Sequence, residues 1–281
     1  MKRSRKEILT GIIFQVFLFA LGFVMIYPIL WMVANSFKTA EEIFGSASLI
    51  PEKLLFDNYQ RGWRYVGSLT FATFFKNSFI YAGIATVGVV FSSALVAFGF
   101  SRIRFKGRNL WFGVMILTMI IPYQVIMVPQ FIIFQKLGWI NTFLPLIVPM
   151  CLGYPFFIFL MVQFIRGIPI SLDESAWMDG CGRFMIFSRI IFPLMKPAII
   201  TTTIFSFYWR WEDFLGPLLY LNKPRLFTVS LALRMFSDPM TSTDWGAIFA
   251  MGTLSLVPVL VIFVSFQKYL SRGIATTGIK G

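Results

Sequence analysis

Three ionisable side chains, Arg210, Glu212 and Asp213, interrupt a long apolar stretch of the sequence, and Trp209 and Trp211 flank them. Ionisable groups in apolar surroundings are costly, so they usually pair with one another or face a polar cavity. Arg210 and Asp213 are three positions apart and could pair on one face of a helix. We therefore favour an internal ion pair that fixes helix packing. The alternative is a polar cavity lined by all five residues.

The rest of the chain offers few groups for catalysis or metal binding. It contains no histidine, which is the commonest general base and the commonest metal ligand. Of its two cysteines, Cys151 lies in an apolar stretch and Cys181 in a polar loop, so we expect no disulfide between them. The sequence has no G-x-x-x-x-G-K-[ST] phosphate loop. It therefore predicts no catalytic site, no metal and no cofactor bound by this chain.

The composition is typical of a membrane protein. Of the 281 residues, 57% are hydrophobic and only 13% are charged, about half the charged share of a soluble domain. The net charge of +13 could attract nucleic acid. However, the basic residues lie in short loops between apolar stretches and form no stripe with exposed aromatic residues. We therefore expect a lipid bilayer around the chain and no nucleic-acid partner.

Six stretches have the length of a membrane span, which is about 20 predominantly apolar residues. They are apolar on all faces and lack the short alternation of β-barrel strands. The sequence predicts one all-α transmembrane domain over 1–281, with the first helix retained rather than removed as a signal peptide. The predicted spans are about 10–35, 77–101, 109–133, 142–165, 197–221 and 246–268.

Lysine and arginine are distributed unevenly between the loops. Segments 1–7, 102–108, 166–196 and 268–281 hold 4, 4, 4 and 3 of these residues, which is 15 of the 25 in the chain. Because basic residues accumulate in cytoplasmic loops, these four segments are predicted to be cytoplasmic. Both termini are then cytoplasmic as well.

Segment 166–196 is polar and much longer than a turn. Ser171 followed by Glu174 predicts a capping box at the start of a short helix, and Gly180 predicts its end in a left-handed turn. A second apolar stretch, 184–192, follows and is predicted to stop at Pro193 and Pro197. The expected structure is two short helices joined by a glycine turn.

The first of these helices carries small side chains, including Ser175 and Ala176. Small side chains offer little apolar area to lipid, so an amphipathic helix resting on the membrane fits this segment poorly. They suit close insertion into a groove of another protein.

The same segment resembles the EAA loop of ABC-importer permeases, whose pattern is Glu-Ala-Ala, two residues, Asp-Gly-Ala and later Ile-x-Leu-Pro. The residues that align with this pattern are Glu174, Ser175, Ala176, Asp179, Gly180, Ile190, Phe192 and Pro193. The sequence departs from the pattern at Ser175, Cys181 and Phe192, each a modest change in side-chain size.

Four further elements resemble the second permease subunit of maltose-type carbohydrate importers, in the same order, so that the resemblance covers nearly the whole chain. They are 27–31 with 35–38, the basic loop 100–108, the element 211–214 and the tail 273–281. Glu212 stands where that family usually has Asn.

The resemblance implies a type I ABC importer permease fold in the cytoplasmic (inner) membrane of a bacterium or archaeon. The cargo would be a carbohydrate, with an oligosaccharide favoured. The implied partners are a second homologous permease, an ABC ATPase dimer that carries the ATP and Mg²⁺, an external solute-binding protein, and the substrate. The residues implied to couple to the ATPase are Ser171, Leu172, Glu174, Ser175, Ala176, Asp179, Gly180 and Pro193. The residues assigned to the translocation path, where the indoles could stack on sugar faces, are Trp209, Arg210, Trp211, Glu212 and Asp213.

Two other functions remain open from the residues alone. A secondary transporter or channel for a polar solute, without an ATPase, would show inverted repeats and ionisable residues placed for ion coupling. The sequence shows no evident inverted repeat, and no such ionisable residues outside the predicted span 197–221. A membrane-embedded enzyme would need a metal cluster or a nucleophile–base pair, for which the chain has few candidates. No motif identifies the carbohydrate. A small positive excess in the predicted external loops is compatible with an acidic oligosaccharide.

Overall fold

The computed structural model describes residues 5–64, 69–236 and 243–275. This part of the chain is helical and contains no β-strand, which confirms the predicted all-α class. The α-helices are α1 (Arg5–Asn35), α2 (Ala40–Gly45), α3 (Asp57–Arg64), α4 (Phe71–Arg102), α5 (Arg108–Thr118), α6 (Tyr123–Lys136), α7 (Leu144–Ile147), α8 (Pro155–Arg166), α9 (Ser171–Met178), α10 (Arg183–Ile186), α11 (Phe192–Leu194), α12 (Lys196–Trp211), α13 (Leu215–Tyr220), α14 (Val229–Met235) and α15 (Trp245–Ala275). A 3₁₀ turn (Val148–Leu152) follows α7, and a π-helical turn (Phe187–Ile191) joins α10 to α11. The end of the tail noted above, 276–281, lies outside the described residues.

Four segments are long and apolar enough to cross a membrane by themselves, namely Leu9–Asn35, Phe71–Arg102, Leu144–Arg166 and Trp245–Gln267. Two pairs of helices reach that length and hydropathy only together. α5 and α6 are bent by 98°, and the helix Arg183–Leu194 and α12 are bent by 75°. The described residues therefore hold four helical segments that could cross a membrane, or up to six if each bent pair counts as one span.

The bend between α5 and α6 falls within the span predicted over 109–133. Pro122 precedes α6 as its N-cap, with an extended ψ of 138°, and a proline disfavours helical backbone at the residue before it. Pro129, by contrast, lies inside α6 without ending it. This stretch is not one straight helix, because α5 ends at Thr118 and the backbone at Pro122 is extended.

The stretch predicted to span over 197–221 is also divided. α12 ends at Trp211, and α13 begins only at Leu215. Between them the Asp213 carboxylate accepts a hydrogen bond from the Gly216 N–H at 3.1 Å, in the manner of a helix-capping aspartate. One N–H of the first turn of α13 thus has a side-chain acceptor that comes from the break itself.

The chain divides into two compact units, one within Met1–Phe71 and Leu233–Val257 and the other within Ala72–Ala232 and Pro258–Gly281. The second unit contains two apolar clusters. One includes Phe98, Ile158, Met161, Ile165, Ala176, Ile186, Ile191 and Met195. The other consists of Tyr81, Ala85, Phe134, Leu146, Tyr220 and Leu221. The first cluster packs α4 and α8 against the segment from α9 to α12. The second packs α4 against α6, α7 and α13.

In the first unit, Arg61 joins α3 to the start of α15. Its guanidinium forms ion pairs with Asp57 and, at 2.8 Å, with Asp244, and it donates to Asn58 Oδ1 at 2.6 Å. The amide of Asn58 donates in turn to the Ser36 carbonyl at 2.9 Å. These contacts connect three parts of this unit that are far apart in sequence.

Both cysteines are free. Cys151 lies directly against Gly88 of α4, where a Cβ would clash with its Sγ atom. The close approach of the 3₁₀ turn to α4 therefore favours glycine at position 88, since a larger residue would displace the Cys151 side chain.

Candidate functional site

Segment 166–196 folds into helices joined by a glycine turn, as the sequence predicts. At the end of α9, the Gly180 N–H donates to the Trp177 carbonyl at 3.0 Å and the Cys181 N–H donates to the Ala176 carbonyl at 2.9 Å. This pair of bonds is a Schellman motif. Gly180 has a φ of +79°, a left-handed conformation that residues with a Cβ disfavour. The predicted turn at Gly180 is confirmed.

The second helix ends where its two prolines predict. It runs over Arg183–Leu194, and the chain bends by 75° between Leu194 and α12. Pro193 is the residue before the last of this helix, and Pro197 lies in the first turn of α12. The predicted stop at Pro193 and Pro197 is therefore confirmed.

The capping box predicted at Ser171 and Glu174 is wrong. The N-cap is Ile170, and no side chain caps α9. The N–H groups of Asp173 and Glu174 donate to the Ile170 carbonyl at 2.9 and 3.1 Å. Because this turn satisfies the backbone donors, the Ser171 hydroxyl is not needed as an acceptor.

Asp173 is paired instead with Arg102, the last residue of α4. Arg102 Nε lies 2.7 Å from Asp173 Oδ2, with side chains only 9% and 14% exposed, and Arg102 Nη2 donates to the Ile168 carbonyl at 2.8 Å. Neither carboxylate oxygen of Asp173 has a hydrogen-bond partner among the described residues. Burial raises the pKa of Asp173, and Arg102 only partly opposes that rise. The contact is a close ion pair without an aligned hydrogen bond.

Most of the residues assigned to ATPase coupling lie on an exposed surface. They are Ser171, Leu172, Glu174, Ser175, Asp179, Gly180 and Pro193. Ala176 is the exception, since it is 6% exposed and packs into the apolar cluster beside Ile186. Trp177 and Met178 are exposed. α9 therefore presents a mixed acidic and apolar surface on one side, and Ala176 and the paired Asp173 face the bundle on the other.

A groove of 290 Å³ lies between the end of α4 and α9. Its charged and aromatic lining consists of Phe98, Arg102, Arg104, Asp173, Glu174, Trp177 and Arg183. The guanidinium of Arg183 lies 5.9 Å from the centroid of the Trp177 ring. The groove places α9 next to a local excess of positive charge.

A larger cavity of 890 Å³ lies among the broken helices. Trp209, Arg210, Glu212 and Asp213 line it, so the structure brings together four of the five residues assigned to the translocation path. Trp211 does not line it. The Trp211 ring is 4% exposed and stacks on Phe207. Residues two apart on a helix are rotated by about 200°, so Trp209 and Trp211 point to opposite sides.

Aromatic rings form much of the remaining cavity wall. They belong to Tyr81, Tyr123, Tyr154, Phe156, Phe214 and Tyr220. Three neighbouring rings hold the Trp209 indole in place, with centroid distances of 6.1 Å to Tyr154, 5.6 Å to Phe156 and 5.2 Å to Phe157. The cavity thus offers fixed, flat apolar faces beside ionisable groups.

The internal ion pair favoured for Arg210 and Asp213 is wrong, because the described residues contain no such pair. Asp213 accepts hydrogen bonds from the Tyr81 hydroxyl at 2.6 Å and from the Gly216 N–H. The Arg210 guanidinium lies 5.8 Å from the centroid of the Tyr154 ring, and its Nε is buried without a hydrogen-bond partner among the described residues. α12 ends between positions 210 and 213, so the two side chains do not share a helix face.

Tyr81 is one of the cavity residues that sequence reasoning missed. It lies on α4, is 1% exposed, and is separated from Asp213 by 132 positions. A tyrosine in an apolar helix can be expected to find a hydrogen-bond partner for its hydroxyl, and this was the one indication of Tyr81 that the sequence offered. That signal does not say which residue the partner is.

Comparison with known proteins gives consistent similarities along the chain. Residues 88–276 match the family described as "Binding-protein-dependent transport system inner membrane component". The chain is 34% identical to the "Probable ABC transporter permease protein YurM" of Bacillus subtilis, over 95% of this chain and 87% of that one. It is 31% identical to the "Arabinooligosaccharides transport system permease protein AraQ" of Bacillus subtilis, over 94% of each. It is 30% identical to the "Trehalose/maltose transport system permease protein MalG" of Thermococcus litoralis, over 99% of each.

The fold also matches a solved structure. That structure is a bacterial ABC transporter involved in the import of the acidic polysaccharide alginate, and a chain of it superposes with a TM-score of 0.84. The match covers 96% of this chain and 99% of that one, at 22% sequence identity. At this identity the likeness concerns the arrangement of the helices.

Proposed function

The chain belongs to the family of binding-protein-dependent transport system inner membrane components, and from that premise we propose that it forms half of the translocation pathway of an ATP-driven carbohydrate importer. It has the type I ABC importer permease fold. It is a channel component of the inner membrane and not an enzyme, since a separate subunit hydrolyses ATP in this family. The observation that carries the proposal is the exposed helix and glycine turn of α9, joined to a bundle that encloses an aromatic cavity.

The proposed topology has six spans, with both termini and segment 166–196 on the cytoplasmic side. It treats each bent helix pair as one span. The concentration of lysine and arginine in alternate loops supports this orientation. α9 and its turn then face the compartment that contains ATP.

We assign α9 and its turn to docking on an ABC ATPase dimer that binds the ATP and Mg²⁺, with no cofactor on this chain. Glu174 and Asp179 are exposed acids that can pair with basic ATPase residues, and Leu172 adds an exposed apolar contact. ATP can shift the bundle between inward-facing and outward-facing states only if the two states bind it with different affinity. A rigid helix with a fixed C-terminal turn can transmit such a difference.

The 890 Å³ cavity is assigned to the translocation path, with Trp209, Arg210, Glu212 and Asp213 in its wall. Aromatic faces beside a few oriented polar groups suit sugars, whose rings have apolar faces and hydroxyl edges. Relatives named for arabinooligosaccharides and for trehalose and maltose support a carbohydrate cargo. Trp211 is left out of this assignment because it is buried away from the cavity.

The test of the proposed function is co-purification from the native membrane. We expect the chain to bring down a second permease and an ABC ATPase, and the ATP hydrolysis of the complex to rise when the cognate solute-binding protein is added. Stable isolation of the chain without any ATPase would contradict the proposal and favour a secondary transporter or channel.

The cavity assignment has its own test, a Glu212→Asn variant with Glu41→Gln as a matched exposed control. Glu41 lies on α2, in the other compact unit. We expect Glu212→Asn to change the sugar selectivity of uptake while Glu41→Gln does not. Unchanged uptake and selectivity in both variants would remove Glu212 from the path without affecting the importer assignment.

A further inference from the structure

We propose that Arg102 and Asp173 form the joint through which a displacement of α9 is passed to α4. This inference rests on the proposed function, because it presumes that the ATPase displaces α9. Both residues are positioning residues in this scheme, since neither contacts ATP or the cargo. Their role is to make two helices move as one body.

The position of Arg102 is the first support for such a joint. It is the last residue of α4, a helix of 32 residues, so a force applied there acts along the whole span. Its guanidinium contacts Asp173 in the first turn of α9 and the Ile168 carbonyl in the preceding connection. One side chain therefore holds both α9 and the connection that leads into it.

The weak apolar anchoring of α9 is the second support. Of its eight residues, Ala176 alone is buried, and a single methyl group buries little apolar area. The Arg102–Asp173 pair is more than 85% buried on both sides. Without the pair, α9 would be held to the bundle mainly by that methyl group and by its chain connections.

The chemistry of the pair is the third support, because it argues against a purely stabilising role. A buried ion pair returns little net stability, since desolvation offsets the attraction. Here neither oxygen of Asp173 gains a hydrogen bond within the described residues. The attachment therefore depends on charge, and an uncharged side chain of the same shape cannot replace it.

The experiment is hydrogen exchange on the intact complex of both permeases and the ATPase, with and without ATP plus vanadate. In the wild type we expect the addition of ATP and vanadate to change the rate of hydrogen exchange both in residues 171–180 and in residues 95–104. In Asp173→Asn we expect the change in 171–180 to persist and the change in 95–104 to be lost. Asp173→Glu, which keeps the charge, is expected to recover the response in 95–104.

A matched control is Lys106→Gln, in the loop that follows Arg102. Lys106 is an exposed cation and forms no ion pair within the described residues. This variant should leave both responses intact. If residues 95–104 of Asp173→Asn respond like the wild type, or if they never respond in the wild type, the joint is refuted. If residues 171–180 of the wild type do not respond to ATP and vanadate, the proposed docking on the ATPase fails, and the joint with it.

Discussion

Asp213 in the cavity and Asp173 beside α9 are both partly enclosed carboxylates, but they are held in different ways. Asp213 accepts hydrogen bonds from the Tyr81 hydroxyl at 2.6 Å and from the Gly216 N–H at 3.1 Å. Asp173 lies 2.7 Å from Arg102 Nε, and its oxygens have no hydrogen bond among the described residues. One carboxylate is satisfied by directed neutral donors and the other by charge alone.

The difference indicates what each site must do. Directed hydrogen bonds fix an orientation, which suits the broken backbone between α12 and α13 where Asp213 holds the first turn of a new helix. An ion pair without aligned hydrogen bonds tolerates small rotations and still resists separation. It suits a joint between α4 and α9 that must hold while the bundle changes conformation.

The largest expected effect comes from removing one partner of the Arg102–Asp173 ion pair. Arg102→Met should lower the free energy of unfolding by about 3 kcal/mol, because it leaves the Asp173 carboxylate buried without a counter-charge. The measurement is unfolding by SDS in mixed micelles.

The matching double variant, Arg102→Met with Asp173→Leu, removes both charges and should recover most of that stability. It should nevertheless lack the ATP-dependent exchange response of residues 95–104. A double variant as unstable as the single one would show that the pair serves mainly stability.

The second effect tests the hydrogen-bonded carboxylate. Asp213→Ala leaves the Tyr81 hydroxyl and the Gly216 N–H without an acceptor. Because both residues line the cavity, where water can replace part of the lost hydrogen bonding, the total cost should be about 1–3 kcal/mol. Tyr81→Phe removes only one bond, so its loss in unfolding free energy should be smaller. Equal losses for the two variants would mean that Gly216 contributes nothing to holding Asp213.

The third effect compares two glycines of the α9 turn. Gly180→Ala forces a Cβ into a left-handed conformation and should cost about 1–2 kcal/mol, whereas Gly182, with a φ of −73° and open space around it, should tolerate alanine. We expect reduced ATPase co-purification for Gly180→Ala and normal amounts for Gly182→Ala. Identical behaviour of the two variants would contradict the importance of the turn.

The smallest effect concerns an ion pair that is more open to solvent. Burial would raise the pKa of Asp244, but hydrogen bonds from Arg61 and from the Ala247 N–H outweigh it and lower the pKa. Its contribution to stability is therefore present above the pKa of the unfolded chain, about 3.9, and is lost as the pH falls through the lower folded value.

Because Arg61 is 48% exposed, the contribution should be at most about 1 kcal/mol. Asp244→Asn keeps the shape of the helix cap and removes the charge. The difference in unfolding free energy between this variant and the wild type should shrink as the pH falls below about 4 and disappear below the lowered pKa of folded Asp244. A difference that persists unchanged there would mean that the charge of Asp244 is not its cause.

The sequence by itself determined the features that depend on neighbouring residues and on total composition. The all-α class follows from the long apolar stretches, and the turn at Gly180 follows from one glycine at the end of a short helix. The family membership was accessible for the same reason, since the EAA-like pattern lies within one contiguous segment.

The tertiary structure alone decided which partner each polar side chain takes. Arg210 and Asp213 lie close in sequence but are not paired, Asp173 is paired across the fold with Arg102, and Trp211 turns away from the cavity that Trp209 lines. The physical reason is the range of the interactions. Backbone hydrogen bonds of a helix or turn connect residues a few positions apart, whereas a buried charge or hydroxyl takes whichever partner the packing of distant segments brings within about 3 Å.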